Sequence, residues 1–308
     1  MDKTIVVLGS VNADHVLRVG HFPRPGETLT GSSYNIIAGG KGANQAVACA
    51  RLGGQTQFMA CVGQDGFGNE IIQKLNDDGI NTETVEQVKG VNTGVALIFV
   101  DDRAENCIGI AAEANSYLDE AFVRRHQPAI AGADYLLMQL ETPESGIQTA
   151  AAIARAHGTQ IVLNPAPARP LSDEILSCID MITPNQTEAE MLTGVTVNDT
   201  ESAVRAANIL HGKGIEIVVI TMGRQGAFIS EAGSQKSERV TGFKVEPVDT
   251  TAAGDTFNGG LLVALAEGKN LADAASFANA CGALSVMRHG AQTSIPTRED
   301  VAEFLAAR

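Results

Sequence analysis

Asp249-Thr250-Thr251-Ala252-Ala253-Gly254-Asp255-Thr256-Phe257-Asn258-Gly259-Gly260 joins a run of small residues to a carboxylate, then to a helix-like apolar series at Phe257, Leu261, Leu262 and Leu265. A loop of Ala252, Ala253 and Gly254 turns its backbone N–H groups toward one point. The helix that follows adds unpaired N–H groups and a partial positive charge there. That is an anion site built from backbone alone. Asp255 lies in the same first turn, where it reads as a base that takes a proton while the amides hold a developing negative charge. The same residues have an ordinary reading. Aspartate in a first helical turn is a common capping choice, and glycine before a helix makes a tight turn. Taken alone, the segment leaves both open.

The 308 residues allow one large α/β domain or two modest ones. At 44% hydrophobic and 19% charged, the chain can build a sizeable core. Aromatics are only 4%, with no Trp, so that core must be mainly Ala, Val, Ile and Leu, as in sheets covered by close-packed helices. The net charge is −14, and no basic cluster offsets it. This argues against nucleic-acid binding, which needs many cationic contacts to phosphates. A phosphate-bearing ligand remains open, held by helix ends and a divalent metal. Cys49, Cys61, Cys107, Cys178 and Cys281 form no C-x-x-C pair, and most sit in apolar runs. Buried free thiols and a reducing compartment are expected. The six histidines show neither H-E-x-x-H nor H-x-H spacing, against a zinc site. Ile5-Val6-Val7-Leu8 is too short for a signal segment or a membrane span. A cytoplasmic protein with no membrane partner is expected.

From Asp134 onward strand and helix patterns alternate. Tyr135 to Leu140, Ile161 to Leu163, Ile179 to Ile182 and Ile217 to Ile220 read as strands, and Ile147 to His157 and Ala203 to Leu210 as helices. Short continuous apolar runs predict strands buried on both faces of a parallel, doubly wound sheet. Ligands bind beyond the carboxyl ends of such strands. Those ends carry Gln139-Leu140-Glu141, Asn164-Pro165-Ala166, Thr183-Pro184-Asn185 and Thr221-Met222-Gly223, and the first strand ends in Gly9-Ser10-Val11-Asn12-Ala13-Asp14. Polar groups therefore collect along one rim. The first third breaks the alternation, with strands at Val16 to Val19, Leu29 to Ile37, Val95 to Val100 and Asn106 to Ala111 and helices at Ala43 to Leu52 and Gly68 to Asn76. Asp101-Asp102-Arg103-Ala104 predicts a hairpin turn between the last two strands. The four strands read as a small sheet standing off the main one, a lid inserted at about 14–38 and 92–112 of a single domain spanning 1–308. Extra edge strands are the alternative.

A second glycine-rich segment, Ala38-Gly39-Gly40-Lys41-Gly42-Ala43-Asn44-Gln45, leads into a helix. Gly39 and Gly40 let backbone approach a ligand. Lys41 and Asn44 share a face at the helix start, a donor pair suited to hydroxyls or phosphate oxygens. It is not a Walker A loop, because Asn35 stands where the first Gly belongs and no Ser or Thr follows Lys41. No H-R-D or D-F-G of protein kinases is present. A plain helix start with glycine packing fits this segment too. Gly63-Gln64-Asp65-Gly66-Phe67-Gly68 has the wrong glycine order for a dinucleotide loop and reads as a turn before a helix. His15, His21 and His289 read as surface or packing residues.

Together the two glycine-rich segments resemble the signatures of the ribokinase family of carbohydrate kinases: Gly39-Gly40-Lys41-Gly42-Ala43-Asn44-Gln45-Ala46 is similar to the N-terminal one, Asp249 to Phe257 to the C-terminal one. The resemblance extends through Gly9 to Asp14, Thr183-Pro184-Asn185-Gln186-Thr187-Glu188 and Gly290-Ala291-Gln292, so it covers nearly the whole chain. It implies a ribokinase-like α/β fold with a mainly parallel, helix-flanked sheet and a small β-sheet lid. It also implies ATP-dependent phosphorylation of D-ribose at the 5-hydroxyl. The implied sugar pocket is Asn12, Ala13, Asp14, Gly40, Lys41, Gly42, Asn44 and Glu141, with Asp255 as base. Such carboxylates and amides pair sugar hydroxyls, which both donate and accept. The amides of Ala252, Ala253 and Gly254 would hold the transferring phosphoryl group, and positioning with charge stabilisation carries most of such catalysis.

By the same resemblance Asn185 and Glu188 organise Mg²⁺ and the phosphates, although Thr-Pro-Asn-x-x-Glu is also a capping box. Thr221, Gly223 and Gly226 contact the nucleotide, with Gly254, and Asn279 stands beside the adenine where some relatives have His. Ala252 stands where the family motif often begins with Gly. A K⁺ activator site is implied at Asp249, Thr251, Ser285, Arg288, Gly290 and Ser294, several through backbone carbonyls, and a homodimer through the lid strands. Competing readings are a same-fold kinase for fructose, 2-deoxyribose or a nucleoside such as adenosine, and a non-catalytic sugar- or nucleotide-binding protein. Asp14 and Glu141 favour a small polyhydroxylated sugar, and Asp255 argues against a non-catalytic role.

Overall fold

Ile5-Val6-Val7-Leu8 is buried on both faces, with Ile5 and Val7 in one apolar cluster and Val6 and Leu8 in another. A strand alternates its side chains, so a run apolar at every position needs helices on both sides of its sheet. The computed structural model describes residues 3–103, 105–234 and 236–308.

In chain order the first elements are β1 (Thr4–Leu8), β2 (Asn12–Arg18), β3 (Ser33–Gly39), α1 (Lys41–Arg51), β4 (Gln55–Gly63), α2 (Gly66–Asp77), β5 (Val85–Val88), β6 (Gly94–Val100) and β7 (Asn106–Ala111). There follow α3 (Glu120–Arg125), α4 (Gln127–Ala131), β8 (Tyr135–Met138), α5 (Glu144–His157), β9 (Gln160–Leu163), α6 (Asp173–Leu176), β10 (Met181–Ile182), α7 (Gln186–Thr193) and α8 (Thr200–His211). The last are β11 (Ile217–Thr221), β12 (Gly226–Glu231), β13 (Ser237–Thr241), α9 (Ala253–Ala266), α10 (Leu271–Ser285) and α11 (Arg298–Ala306).

Among the described residues the main sheet has the order β13-β12-β11-β10-β9-β8-β1-β4-β5. It is parallel from β5 to β11, and β12 and β13 run antiparallel at one edge. One cluster packs α1, α2, α9, α10 and α11 on one face; the other packs α3 to α8 on the opposite face. Alanine and glycine set the helix spacing: a Cβ on Gly259 of α9 would come within 2.5 Å of the Ala48 Cβ on α1.

A separate four-stranded sheet has the order β3-β2-β6-β7. The alternation begins earlier than expected: β4, with α1 and α2 on either side of it, already belongs to the main sheet. The small-sheet strands start closer to the site than the hydrophobic pattern suggests. Strand β2 opens at Asn12 rather than Val16, because Asn12 and Asp14 interrupt the apolar pattern, and β3 runs from Ser33 to Gly39 rather than from Leu29 to Ile37. Strand β10 is two residues long, since Ile179 still closes a turn on Leu176. In the β6–β7 hairpin, Asp101 Oδ1 accepts the N–H groups of Arg103 and Glu105; Ala104, the end of the predicted turn, lies outside the described residues. Gly66 starts α2 behind an Asp65 cap, as the turn reading of 63–68 requires.

Candidate active site

The strands β1, β8, β9, β10 and β11 are mutually parallel through their neighbours, so their carboxyl ends share one rim. Two helix N-termini meet there. At α1, Gly40 has φ 90°, and a Cβ would lie 2.8 Å from both the Asn12 nitrogen and the Ser10 oxygen. At Gly42 a Cβ would come 2.4 Å from the Gly9 carbonyl carbon. The first turn of α1 therefore lies directly on the backbone leaving β1. Its orphan N–H groups find Lys41 N to Glu141 Oε2 at 3.1 Å, Gly42 N to Ser10 Oγ at 3.3 Å and Ala43 N to Ser10 O at 2.9 Å, while Ser10 Oγ donates to Glu141 Oε2 at 2.5 Å. Glu141 thus complements the positive end of α1.

At α9 the N-terminal residue Ala252 takes a left-handed conformation, φ 58°, and no side chain caps the helix. The Ala253 amide is turned to Thr250 O at 3.3 Å. Gly254 has no positive φ, and a Cβ there would meet nothing within 4 Å. Neither conformation nor packing requires glycine at that position, and the space before the first-turn amides is open to a ligand.

Asp255 is buried, and both of its oxygens accept from α1: Oδ1 from Gln45 Nε2 at 2.9 Å, Oδ2 from Asn44 Nδ2 at 3.0 Å. Asn44 Oδ1 is buried with no hydrogen-bond partner. From Gln45 a chain of buried polar groups follows the rim. Gln139 Nε2 donates to Gln45 Oε1 at 2.6 Å, and Gln45 Nε2 also donates to Asn164 Oδ1 at 2.9 Å. Asn164 Nδ2 donates to Thr183 O at 3.1 Å, Thr183 Oγ1 to Asn258 Oδ1 at 2.6 Å, and Asn258 Nδ2 to Gly254 O at 2.8 Å. Gln139, Asn164 and Thr183 were legible as rim residues. The parts played by Gln45 and Asn258 were not, and their only signal is a place inside the two glycine-rich segments.

The small sheet brings in Asn12 and Asp14. Asn12 Oδ1 accepts from Asn115 Nδ2 at 2.9 Å, and Asn115 also holds both backbone groups of Val11. No sequence pattern marked Asn115. Asp14 pairs with Ile37 and Ala96, and Ala96 with Ile110, so these four share a face of the sheet. Ala13 points the other way and offers the site only backbone. A Cβ on Gly39 would strike the Asp14 carboxylate at 2.0 Å.

Around Lys41 stand Asp255, Glu141, Glu188 and Asp14. Burial lowers the Lys41 pKa, but these four carboxylates outweigh it and the net shift is upward. Asp14 is pushed up to about 7 by burial first, then by Glu141 and Asp255, with Lys41 opposing. Glu188 is raised by burial and Asp255 against the Asn185 amide and Lys41.

Asn185 and Glu188 form the capping box of α7: Glu188 N donates to Asn185 Oδ1 and Asn185 N to Glu188 Oε2, both at 2.8 Å. Thr221 N donates to Pro184 O at 2.9 Å, which sets Thr221 beside Asn185. Gly223 (φ 54°) and Gly226 (φ 96°) shape the turn between β11 and β12. Asn279 Nδ2 donates to Val240 O at 3.1 Å, tying α10 to β13.

Asp249 joins two loops: Oδ1 accepts from the Thr251 amide and hydroxyl at 2.9 and 2.6 Å, and Oδ2 from Gly290 N at 2.9 Å. Those bonds hold its pKa down against the effect of burial. The hydroxyls of Ser285 and Ser294 fold back onto Gly282 O and Ala291 O, and the Arg288 guanidinium turns to Asp300.

Residues 2–298 match the pfkB family carbohydrate kinase profile. The chain belongs to the pfkB family of carbohydrate kinases. It is 54% identical over 305 residues to the ribokinase of Haemophilus influenzae, covering 99% of both chains, and 41% identical over 303 residues to that of Staphylococcus aureus, covering 98% of this chain and 99% of the relative. The solved structure of Arabidopsis thaliana ribokinase complexed with ribose and ATP superposes with a TM-score of 0.93 at 32% identity, over 99% of each chain.

The elevated Asp14 sets a pH dependence in this carbohydrate kinase. Its folded pKa of about 7 lies above the ordinary 3.8, so between those values the folded state binds more protons and stability falls as pH rises. Unfolding free energies of the wild type and Asp14→Asn, measured from pH 4 to 8, should diverge in the variant's favour as pH rises. A constant difference across that range would show that Asp14 ionises as it does in the unfolded chain.

Proposed function

We propose that this kinase transfers the γ-phosphoryl group of ATP to the 5-hydroxyl of D-ribose, giving D-ribose 5-phosphate and ADP. The observation that carries the reading is Asp255, clamped by amides beside the uncapped start of α9. The sugar sits among Asn12, Asp14, Lys41, Asn44 and Glu141, with the Ala13, Gly40 and Gly42 backbone around it. Two carboxylates and two amides match a polyhydroxylated ring better than an apolar base. Asp255 takes the hydroxyl proton as the sugar oxygen attacks phosphorus. The amides at Ala252, Ala253 and Gly254 would stabilise charge on the transferring group, the Ala253 N–H leaving its 3.3 Å bond to Thr250 O to do so, and ADP leaves with the bridging oxygen.

Thr221, Gly223 and Gly226 line the nucleotide side, and Asn279 offers its amide oxygen toward the adenine. Asn185 and Glu188 would hold Mg²⁺ with the phosphates, and Glu188, whose Oε2 takes the Asn185 amide, suits an ion that binds one or two carboxylates and keeps its waters. When bound, the ion neutralises phosphate charge. Asp249, Thr251, Ser285, Arg288, Gly290 and Ser294, several through backbone carbonyls, would supply oxygen ligands to K⁺, which would stiffen the loop before α9.

The small sheet is read as a lid on a single domain. Its face opposite Asp14 exposes Tyr34, Ile36 and Leu97, and we read it as the contact with a second copy. Cys49, Cys61 and Cys281 are buried and unpaired, which supports a cytoplasmic location.

ADP formation with Mg-ATP should be fastest with ribose among ribose, 2-deoxyribose, fructose and adenosine, and faster with K⁺ than with Na⁺. Asp255→Asn should retain ribose binding and lose about 10²- to 10⁴-fold in kcat. Faster turnover of another acceptor would reassign the substrate, and near-normal turnover of the variant would remove the base. Light scattering should give twice the chain mass for the wild type and a folded monomer for Leu97→Glu; a dimeric variant would move the interface elsewhere. Cell fractionation should recover the kinase in the cytoplasm, and recovery in a secreted or membrane fraction would refute that location.

A further inference from the structure

We propose that Gln45 is a positioning residue for the reaction, fixing the plane of the Asp255 carboxylate so that a free lone pair faces the sugar hydroxyl. The inference rests on Asp255 acting as the base.

Gln45 is fully buried in α1 among Ala43, Ala46 and Val47. Packing alone would be served as well by leucine or methionine, without the desolvation of an amide. The structure instead engages every polar atom of this side chain. Oε1 accepts from Gln139, and Nε2 donates to Asp255 and to Asn164. The carboxylate fixes their direction: Asp255 only accepts, so the Gln45 amide presents its NH2 to Asp255 and turns its Oε1 to the Gln139 NH2. Gln139 Oε1, which has no hydrogen-bond partner, lies 2.1 Å from where a Gly9 Cβ would stand, so only glycine at position 9 leaves the side chain room.

The neighbouring Asn44 holds the other oxygen of Asp255. Two successive residues of one helix therefore grip the two carboxylate oxygens separately, which removes rotation about the terminal torsion. A carboxylate has about four lone-pair sites. The clamp occupies two and leaves two with a fixed direction. A base aligned before the substrate arrives needs no reorganisation at the moment of transfer.

Gln45→Glu keeps the shape and replaces the donor with a second carboxylate against Asp255. Two adjoining carboxylates cannot both ionise readily, so one of them holds a proton to higher pH. Lys41, Asp14, Glu141 and Glu188 are unchanged, and a moved limb reports the new pair. The acid limb of the kcat–pH profile should move up by about one unit or more, and kcat at pH 7 should fall about 10- to 100-fold. The KM for ribose should stay within about threefold, because the sugar contacts remain. Gln45→Met removes the donors at nearly constant volume; its kcat should fall about 10-fold or more with KM again held. That split decides the matter if the glutamate variant fails to fold.

Asp255→Asn is measured alongside. If it is silent while folded Gln45 variants keep wild-type kcat and an unmoved limb, or lose only KM, the positioning role is overturned and the base stands. If Asp255→Asn turns over normally, the base reading falls, and the role of Gln45 with it.

Discussion

A buried carboxylate must be hydrogen-bonded, and the partners of Asp255 lie 210 and 211 residues away in sequence, on α1. This contact joins the two glycine-rich segments into one site. The rest of the architecture serves to make it possible. Parallel strands carry both helix N-termini to the same rim. The glycines at 40 and 42 let α1 sit on the backbone leaving β1, and Gly259 lets α9 approach α1. The amide chain from Gln139 to Asn258 then ties five elements together without a charged group. Apart from Gln139 Oε1, which is buried without a partner, each donor and acceptor in that chain is paired, and such pairing favours one arrangement of the rim.

Electrostatics around Lys41 complete the picture. One ammonium faces four carboxylates, so the pocket is acidic before any nucleotide enters it. An ATP polyphosphate would meet that charge unfavourably if amides alone received it. Asp14 lies on β2, Glu141 in the loop after β8, Glu188 in α7 and Asp255 in the first turn of α9, so the acids come from both ends of the rim, with Lys41 among them. Burial first, and then Glu141 and Asp255, raise the pKa of Asp14 against the pull of Lys41.

Much of this was legible in the chain. Continuous apolar runs identified the parallel sheet because buried strands need no polar face, and the polar residues just beyond them identified its rim. The capping box at Asn185 and Glu188 is local, so it survived intact from sequence to structure. Other features depend on what is far away. Asn12 and Asp14 lie within β2 because the small sheet extends into the site, yet their polarity reads as loop. Strand β4 went unread because its run follows a helix and precedes another in a stretch dominated by the strands of the small sheet. Gln45 and Asn115 are single polar residues whose meaning is supplied by partners 119 and 104 residues distant. No periodicity can announce them.

Ala252 carries a further implication. An alanine held at φ 58° is disfavoured by about 1–2 kcal/mol relative to right-handed backbone, whereas glycine would adopt the same angle freely. Glycine would also leave the loop many other shapes. With alanine, few alternatives exist, and the surrounding fold selects the strained one. The backbone before α9 is therefore shaped by the fold before any ligand arrives. The strain is borne in the resting enzyme, and less conformational entropy remains to be lost when the nucleotide binds.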